Sequence, residues 1–185
     1  MWYTVEVSTE SPSRPPAPGR LALVQAFLNS IDLETGDDEL ATPSGATAWL
    51  ATHGGRAVSG EAERGRLVQV REGLRAVLEA QDDAAAQFTA LLGASPLRVE
   101  VGPDGARLLA AGEGVDAFLG EVAAAVVEAT LLGTWGRLKV CRSSTCRFAF
   151  YDSSKNGCGT WCTMRVCGAR EKARTYRRRR SAAAG

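Results

Sequence analysis

The chain has 185 residues, of which 45% are hydrophobic and 23% charged, as expected for a globular protein with one ordinary domain and room for a small extra module. It contains no run of about 18 consecutive apolar residues, so we expect no membrane span, and its first twenty residues lack the apolar run of a signal peptide. We therefore expect a cytoplasmic protein, in which cysteine thiols stay reduced.

Charge is distributed unevenly along the chain. Residues 1–136 contain nine Lys and Arg against nineteen Asp and Glu, a balance of −10, whereas residues 137–185 contain thirteen against two, a balance of +11. Such asymmetry predicts a basic module that binds a polyanion, joined to a part with another role.

The first predicted elements are a tail and two helices. Residues 1–19, rich in proline towards their end, predict a disordered tail. Residues at helical spacing then predict a first helix with one apolar face, formed by Leu21, Val24, Leu28 and Ile31. Thr42 has the chemistry of an N-cap and Pro43 suits a first helical position, which predicts a second helix through Trp49.

Further helices and a hairpin complete the first domain. Helical spacing predicts helices over residues 61–80 and from about 82 to Gly93. Residues 97–101 and 106–110 flank Pro103-Asp104-Gly105, which predicts a β-hairpin, and a long helix should span residues 115–132. The predicted fold class is α+β, with a mostly helical domain over residues 20–133 and a small module over residues 134–185.

Four cysteines in that module have the spacing of a zinc site. Cys141 and Cys146 form one close pair, Cys162 and Cys167 form another, and fifteen residues separate the pairs. Two such pairs are typical of a tetrahedral four-thiolate centre, which leaves no open coordination position, so we predict one structural Zn²⁺. Buried or redox-active thiols are the alternative. Cys158 is expected to be a free thiol, with ligand exchange or redox sensing as further alternatives.

The surroundings of the cysteines predict the local fold. Residues 147–151 should form a strand with Phe148 and Phe150 on one face. Thr160 could cap a helix that begins near Trp161 and carries the second cysteine pair. A knuckle, a hairpin and a ligand-bearing helix together resemble a treble-clef finger.

The end of the chain predicts a basic helix. Its apolar face, formed by Val166, Ala169, Ala173 and Tyr176, should pack on the hairpin. Arginine suits phosphate groups and guanine edges, so we predict nucleic-acid contacts from six side chains, Arg165, Arg170, Lys172, Arg174, Arg177 and Arg178. Some of this charge would neutralise the zinc centre or the helix dipole, and a solvated tail or an acidic protein partner is the alternative.

The cysteine segments resemble the CGNR zinc finger of bacterial proteins, through residues 138–141, 146–152, 161–164 and 167–170. The segment 21–32, and Leu40-Ala41-Thr42-Pro43 ahead of Trp49-Leu50, are similar to the ABATE domain. The resemblance implies a stress-linked transcription regulator that binds DNA through the finger. Ala169 stands where the family has its signature asparagine, and the loop 156–160 lacks the usual basic residues. Both departures could alter DNA contacts.

The first domain has no recognisable catalytic set, since it has a single histidine and no phosphate-binding glycine loop, and we do not expect an enzyme. Asn29, Asp32 and Trp49 are candidates for a small-molecule pocket, although helix caps and core packing explain them equally well. We expect this domain to sense an effector or to form a homodimer. The sequence thus favours a regulator that binds duplex DNA. An RNA-binding zinc protein and an adaptor with an autoinhibited basic helix are the alternatives.

Overall fold

The computed structural model describes residues 15–93 and 95–183. Their α+β architecture confirms the predicted fold class. The elements in chain order are α1 (Leu21–Leu28), α2 (Pro43–Thr52), α3 (Glu61–Leu78), α4 (Ala84–Leu92), β1 (Leu97–Gly102), β2 (Gly105–Ala110), α5 (Gly114–Leu131), a 3-10 turn (Trp135–Arg137), β3 (Leu138–Val140), β4 (Ala149–Tyr151), a π-helical turn (Met164–Gly168) and α6 (Ala169–Ala183).

The boundaries of the first two helices follow from local hydrogen bonds. The Gly45 N–H donates to the Thr42 hydroxyl oxygen over 3.0 Å, and Pro43 occupies the first turn, so the predicted cap of α2 is confirmed. The first helix is shorter than expected, because α1 ends at Leu28 and Ile31 instead forms a β-bridge with Asp38.

The helices enclose an aromatic core. The ring of Phe27 on α1 packs edge-on to that of Phe118 on α5 at 5.2 Å, and Trp49 of α2 contacts both rings. The β1–β2 hairpin lies against α5, where Gly120 permits the contact, since a Cβ at this position would lie 2.8 Å from the Ala110 Cβ.

The ordered core begins before residue 20. Ala17 is buried against it, and its N–H donates to the Gln25 side chain over 2.7 Å. Residues 1–14, the larger part of the predicted tail, lie outside the described residues. Among the residues described, no helix is long and apolar enough to cross a membrane.

The second module is packed on the first through its own hairpin. Strands β3 and β4 are antiparallel, with Leu138 opposite Tyr151 and Val140 opposite Ala149. Leu138 and Ala149 are buried in the core of the helical domain, whereas Phe150 is buried against the cysteines. One small hairpin therefore belongs to two cores.

Candidate zinc centre and basic helix

The four predicted ligands converge on one point. The sulfur atoms of Cys141, Cys146, Cys162 and Cys167 all lie within 4.8 Å of one another. The Cys162 sulfur is 3.6 Å from those of Cys146 and Cys167. A tetrahedron with Zn–S bonds of about 2.3 Å has S···S edges of about 3.8 Å, whereas a disulfide would need about 2.05 Å. The arrangement fits a single structural zinc ion, and the four-cysteine prediction is confirmed.

The electrostatics of the cluster also call for a cation. Hydrogen bonds from the Cys146 and Cys162 thiols lower the pKa of Cys141 to about 2, and the bond to Cys141 raises the pKa of Cys146 to about 12. The first thiolate thus suppresses ionisation of its neighbours, because adjacent negative charges repel each other. Zn²⁺ placed among the sulfurs allows all four to ionise.

The helix after the ligands begins later than predicted. Thr163, not Thr160, is the N-cap, since its hydroxyl accepts the Val166 N–H over 3.1 Å. Cys162 therefore precedes the helix and only Cys167 lies within it. The helix opens with a π-helical turn, in which the Gly168 N–H reaches the Thr163 carbonyl over 3.1 Å. The strand is also shorter than predicted, because Arg147 adopts a left-handed conformation with φ 48° before β4 begins at Ala149.

A buried ion pair fixes the loop between the ligand pairs. Asp152 is fully buried and accepts hydrogen bonds from the Lys139 ammonium over 2.8 Å and the Gly159 N–H over 2.6 Å. Burial alone would raise the pKa of Asp152, but these hydrogen bonds outweigh it and hold the pKa below its usual value. The loop that contains Cys158 is thereby tied to β3. The Cys158 thiol itself is exposed and lies outside the sulfur cluster.

The predicted packing of the last helix is confirmed only at its start. Val166 packs against the cluster that contains Phe150 of the hairpin, whereas Ala169, Ala173 and Tyr176 are exposed. The hairpin contacts α1 and α3 of the helical domain. Within the described part of the chain, α6 carries its basic side chains away from both cores.

The six predicted cationic contacts fall into two groups. Arg170 forms an ion pair with Glu34 over 2.6 Å, while Arg174 and Arg178 both pair with Glu171. The second group has no acidic partner among the residues described, and comprises Arg165, Lys172 and Arg177.

The interface between the two modules uses polar contacts that the sequence did not reveal. The Asn29 amide donates to the Ala149 carbonyl over 2.8 Å and accepts the Ala149 N–H over 2.7 Å. Arg75 is 1% exposed and donates to the Arg147 carbonyl over 2.7 Å. Arg147 in turn binds Glu79 through two hydrogen bonds of 2.7 and 2.8 Å. Burial alone would raise the pKa of Glu79, but the bonds from Arg147 keep it lower than usual, so the pair is ionised.

The three candidate pocket residues are engaged in structural contacts. The Asn29 amide is hydrogen-bonded to the backbone of Ala149 in β4. The Asp32 carboxylate accepts the Glu34 N–H over 2.7 Å in a tight turn, and Trp49 is 5% exposed, stacked on His53 with ring centroids 3.9 Å apart.

A closed four-thiolate centre, a short hairpin and a following helix define a zinc-finger protein with a helical domain attached. Comparison with protein families agrees with this class. Residues 137–180 match the CGNR zinc finger, and residues 21–134 match ABATE, described as "Putative stress-induced transcription regulator". Since the second match covers more than half of the chain, the protein belongs to the ABATE family and carries a CGNR finger. No curated protein matches the chain in sequence.

Proposed function

We propose that the protein is a transcription regulator that binds duplex DNA through its zinc finger and α6. The observation that carries the proposal is a set of cations without acidic partners among the residues described, Arg165 on the π-helical turn and Lys172 and Arg177 on α6, which projects from both cores. Residues 137–185 have a balance of +11, from which a zinc–tetrathiolate centre subtracts only two charges.

The paired arginines can also take part. The Arg170 and Glu34 side chains are each 46% exposed, and ion pairs of this kind contribute about 0–1 kcal/mol. Arg170, Arg174 and Arg178 can therefore exchange their carboxylate partners for phosphate at little cost. The proposed contact set thus keeps all six predicted side chains.

The shape of α6 favours a duplex. Its fifteen residues span about 22 Å, and a helix fits the major groove, which is about 12 Å wide. An autoinhibited adaptor would need α6 to be held on the acidic domain, yet among the described residues Arg170–Glu34 is the one ion pair that joins them. We extend the proposal to the helical domain, which would tune the DNA contact by binding an effector or by dimerising. We propose no catalytic role.

A salt series of binding to random duplex DNA tests the proposal. Substitution of Arg165, Lys172 and Arg177 with alanine should reduce the slope of log K against log salt by about 2.7, since each lost phosphate contact contributes about 0.9. The control carries Arg56→Ala and Arg98→Ala, two exposed cations of the helical domain, and should keep the slope.

Both variants must retain one zinc per chain, and structured RNA serves as competitor. Tighter binding to the RNA than to the duplex would favour the RNA-binding alternative. A slope that is unchanged in the triple variant would refute the proposed surface.

A further inference from the structure

A cavity of about 610 Å³ lies where the end of α3 meets the zinc module. Cavities of about 300–1,000 Å³ at domain interfaces are the usual sites for small molecules. One wall is apolar and comes from Val77 and Leu78 of α3 together with Trp135. The opposite wall comes from β3 and the loop of the finger, including Arg142 and Cys158.

The charged groups around this cavity are cationic. Its lining, as far as the described chain provides it, contains Lys139 and Arg142 and no acidic residue. Lys139 is already satisfied by Asp152 and by carbonyl groups of the loop. The guanidinium of Arg142 is exposed and has neither a hydrogen bond nor an ion pair within residues 15–93 and 95–183.

We propose that this cavity binds a small organic anion, with a carboxylate or phosphate on Arg142 and a flat apolar body against Trp135, Val77 and Leu78. An anion is favoured because a guanidinium in a partly enclosed site forms charge-assisted hydrogen bonds. The apolar wall supplies the contact area that inorganic phosphate alone could not use.

An occupant of the cavity would contact the backbone segments next to the zinc ligands. Arg142 follows Cys141, and its N–H donates to the Thr160 carbonyl over 3.1 Å, two residues before Cys162. The finger side of the cavity therefore comes from two segments that each carry a ligand, one around Cys141 and one before Cys162, and an occupant would contact both segments and α3 at once.

The test uses 1-anilinonaphthalene-8-sulfonate as the anionic probe and the zinc-loaded full chain. Cys158 serves as the reporter, because it lines the cavity and its thiol is exposed. Bound probe should slow carbamidomethylation of Cys158 by iodoacetamide, measured by mass spectrometry. Neutral 1-naphthalenemethanol and inorganic phosphate are the comparison compounds, and both should protect much less.

Two variants localise the effect. Arg142→Ala should weaken probe binding about tenfold, the usual consequence of losing one charge-assisted hydrogen bond, whereas Arg56→Ala should not. Gly136→Leu should occupy part of the cavity, because Gly136 lines it and an added Cβ meets nothing within 4 Å. It should reduce protection by the probe, while zinc content and the salt slope of DNA binding stay unchanged.

Protection that is undiminished in Gly136→Leu, or that the neutral compound provides equally, would overturn the proposal. Protection by duplex DNA without protection by the probe would also overturn it, and would assign the cavity to the DNA-binding surface. DNA binding is measured separately, so failure of this proposal is distinguishable from failure of the proposed function.

Discussion

Asn29→Ala is the most direct test of the interface between the two modules. The Asn29 side chain acts as a short additional strand, since its amide oxygen and nitrogen pair with the N–H and carbonyl of Ala149 over 2.7 and 2.8 Å. Ala149 is completely buried in the intact protein, whereas Asn29 is partly buried, so the N–H and carbonyl of Ala149 depend on these two bonds. After the substitution, the Ala149 carbonyl keeps a weaker hydrogen bond from the Gln25 side chain at 3.3 Å, but the Ala149 N–H loses its bond to the Asn29 amide oxygen.

The expected cost follows from these contacts. A typical hydrogen bond contributes about 1 kcal/mol net, and a buried donor left without a partner costs about 1–3 kcal/mol. Because Gln25 partly compensates at the carbonyl, we expect a loss of about 2–3 kcal/mol of unfolding free energy. With a urea dependence of about 2 kcal/mol per molar, the midpoint should fall by about 1–1.5 M.

Urea denaturation of the zinc-loaded protein measures this change, followed by circular dichroism for the helices and by a chromogenic chelator for zinc release. Both signals should shift together, because the bond joins the helical domain to the finger. The matched control is Asn156→Ala in an exposed loop, which should change the free energy by less than about 0.5 kcal/mol. Equal midpoints for Asn29→Ala and the control would refute a structural role for this interface.

Two further predictions concern the finger itself. Chelation of zinc should unfold the second module. It should also lower the melting midpoint of the helical domain by about 3–6 °C, because Leu138 and Ala149 leave its core. An unchanged helical transition in thermal denaturation would contradict this prediction. Asp152→Asn should cost about 2–3 kcal/mol and speed zinc release, less than for a fully buried pair because the Lys139 side chain is 24% exposed. Its control is Asp104→Asn in the exposed hairpin turn, and equal release rates in the two variants would argue against the pair.

The parts of the fold that could be predicted depend on local chemistry. Thr42 and Pro43 identify the start of α2 because a cap needs only neighbouring residues. The cysteine spacing identifies the metal centre, since ligand geometry restricts which pairs can converge. The start of the last helix was placed wrongly because Thr160 and Thr163 are equally good caps in the sequence, and only the position of Cys162 outside the helix selects the second.

The interface between modules could not be predicted, since it depends on partners far apart in sequence. Asn29 contacts a residue 120 positions away, and in the sequence it was equally compatible with a cap or a pocket. One signal was present nonetheless. Arg71 and Arg75 lie on the same helical stripe as Leu67 and Leu74, and arginines at core positions indicate buried polar partners. That signal does not say which segment supplies the partners.

The polar contacts of this interface also fix the position from which α6 extends. Buried ion pairs and hydrogen bonds add little net stability, since apolar side chains of similar volume are often as stabilising. These bonds instead fix the register of the interface. Asn29 and Arg75 bind individual backbone groups of β4 and of the turn before it, and a shift of one residue would leave those groups unpaired. An apolar contact would tolerate such a shift. The finger is therefore fixed in one register on α1 and α3, and the π-helical turn at Cys167, which leads into α6, is fixed with it. A substitution that removes the side chain of Arg75 or Glu79 would therefore release hydrogen bonds of the Arg147 turn, next to the ligand Cys146, without changing the basic helix.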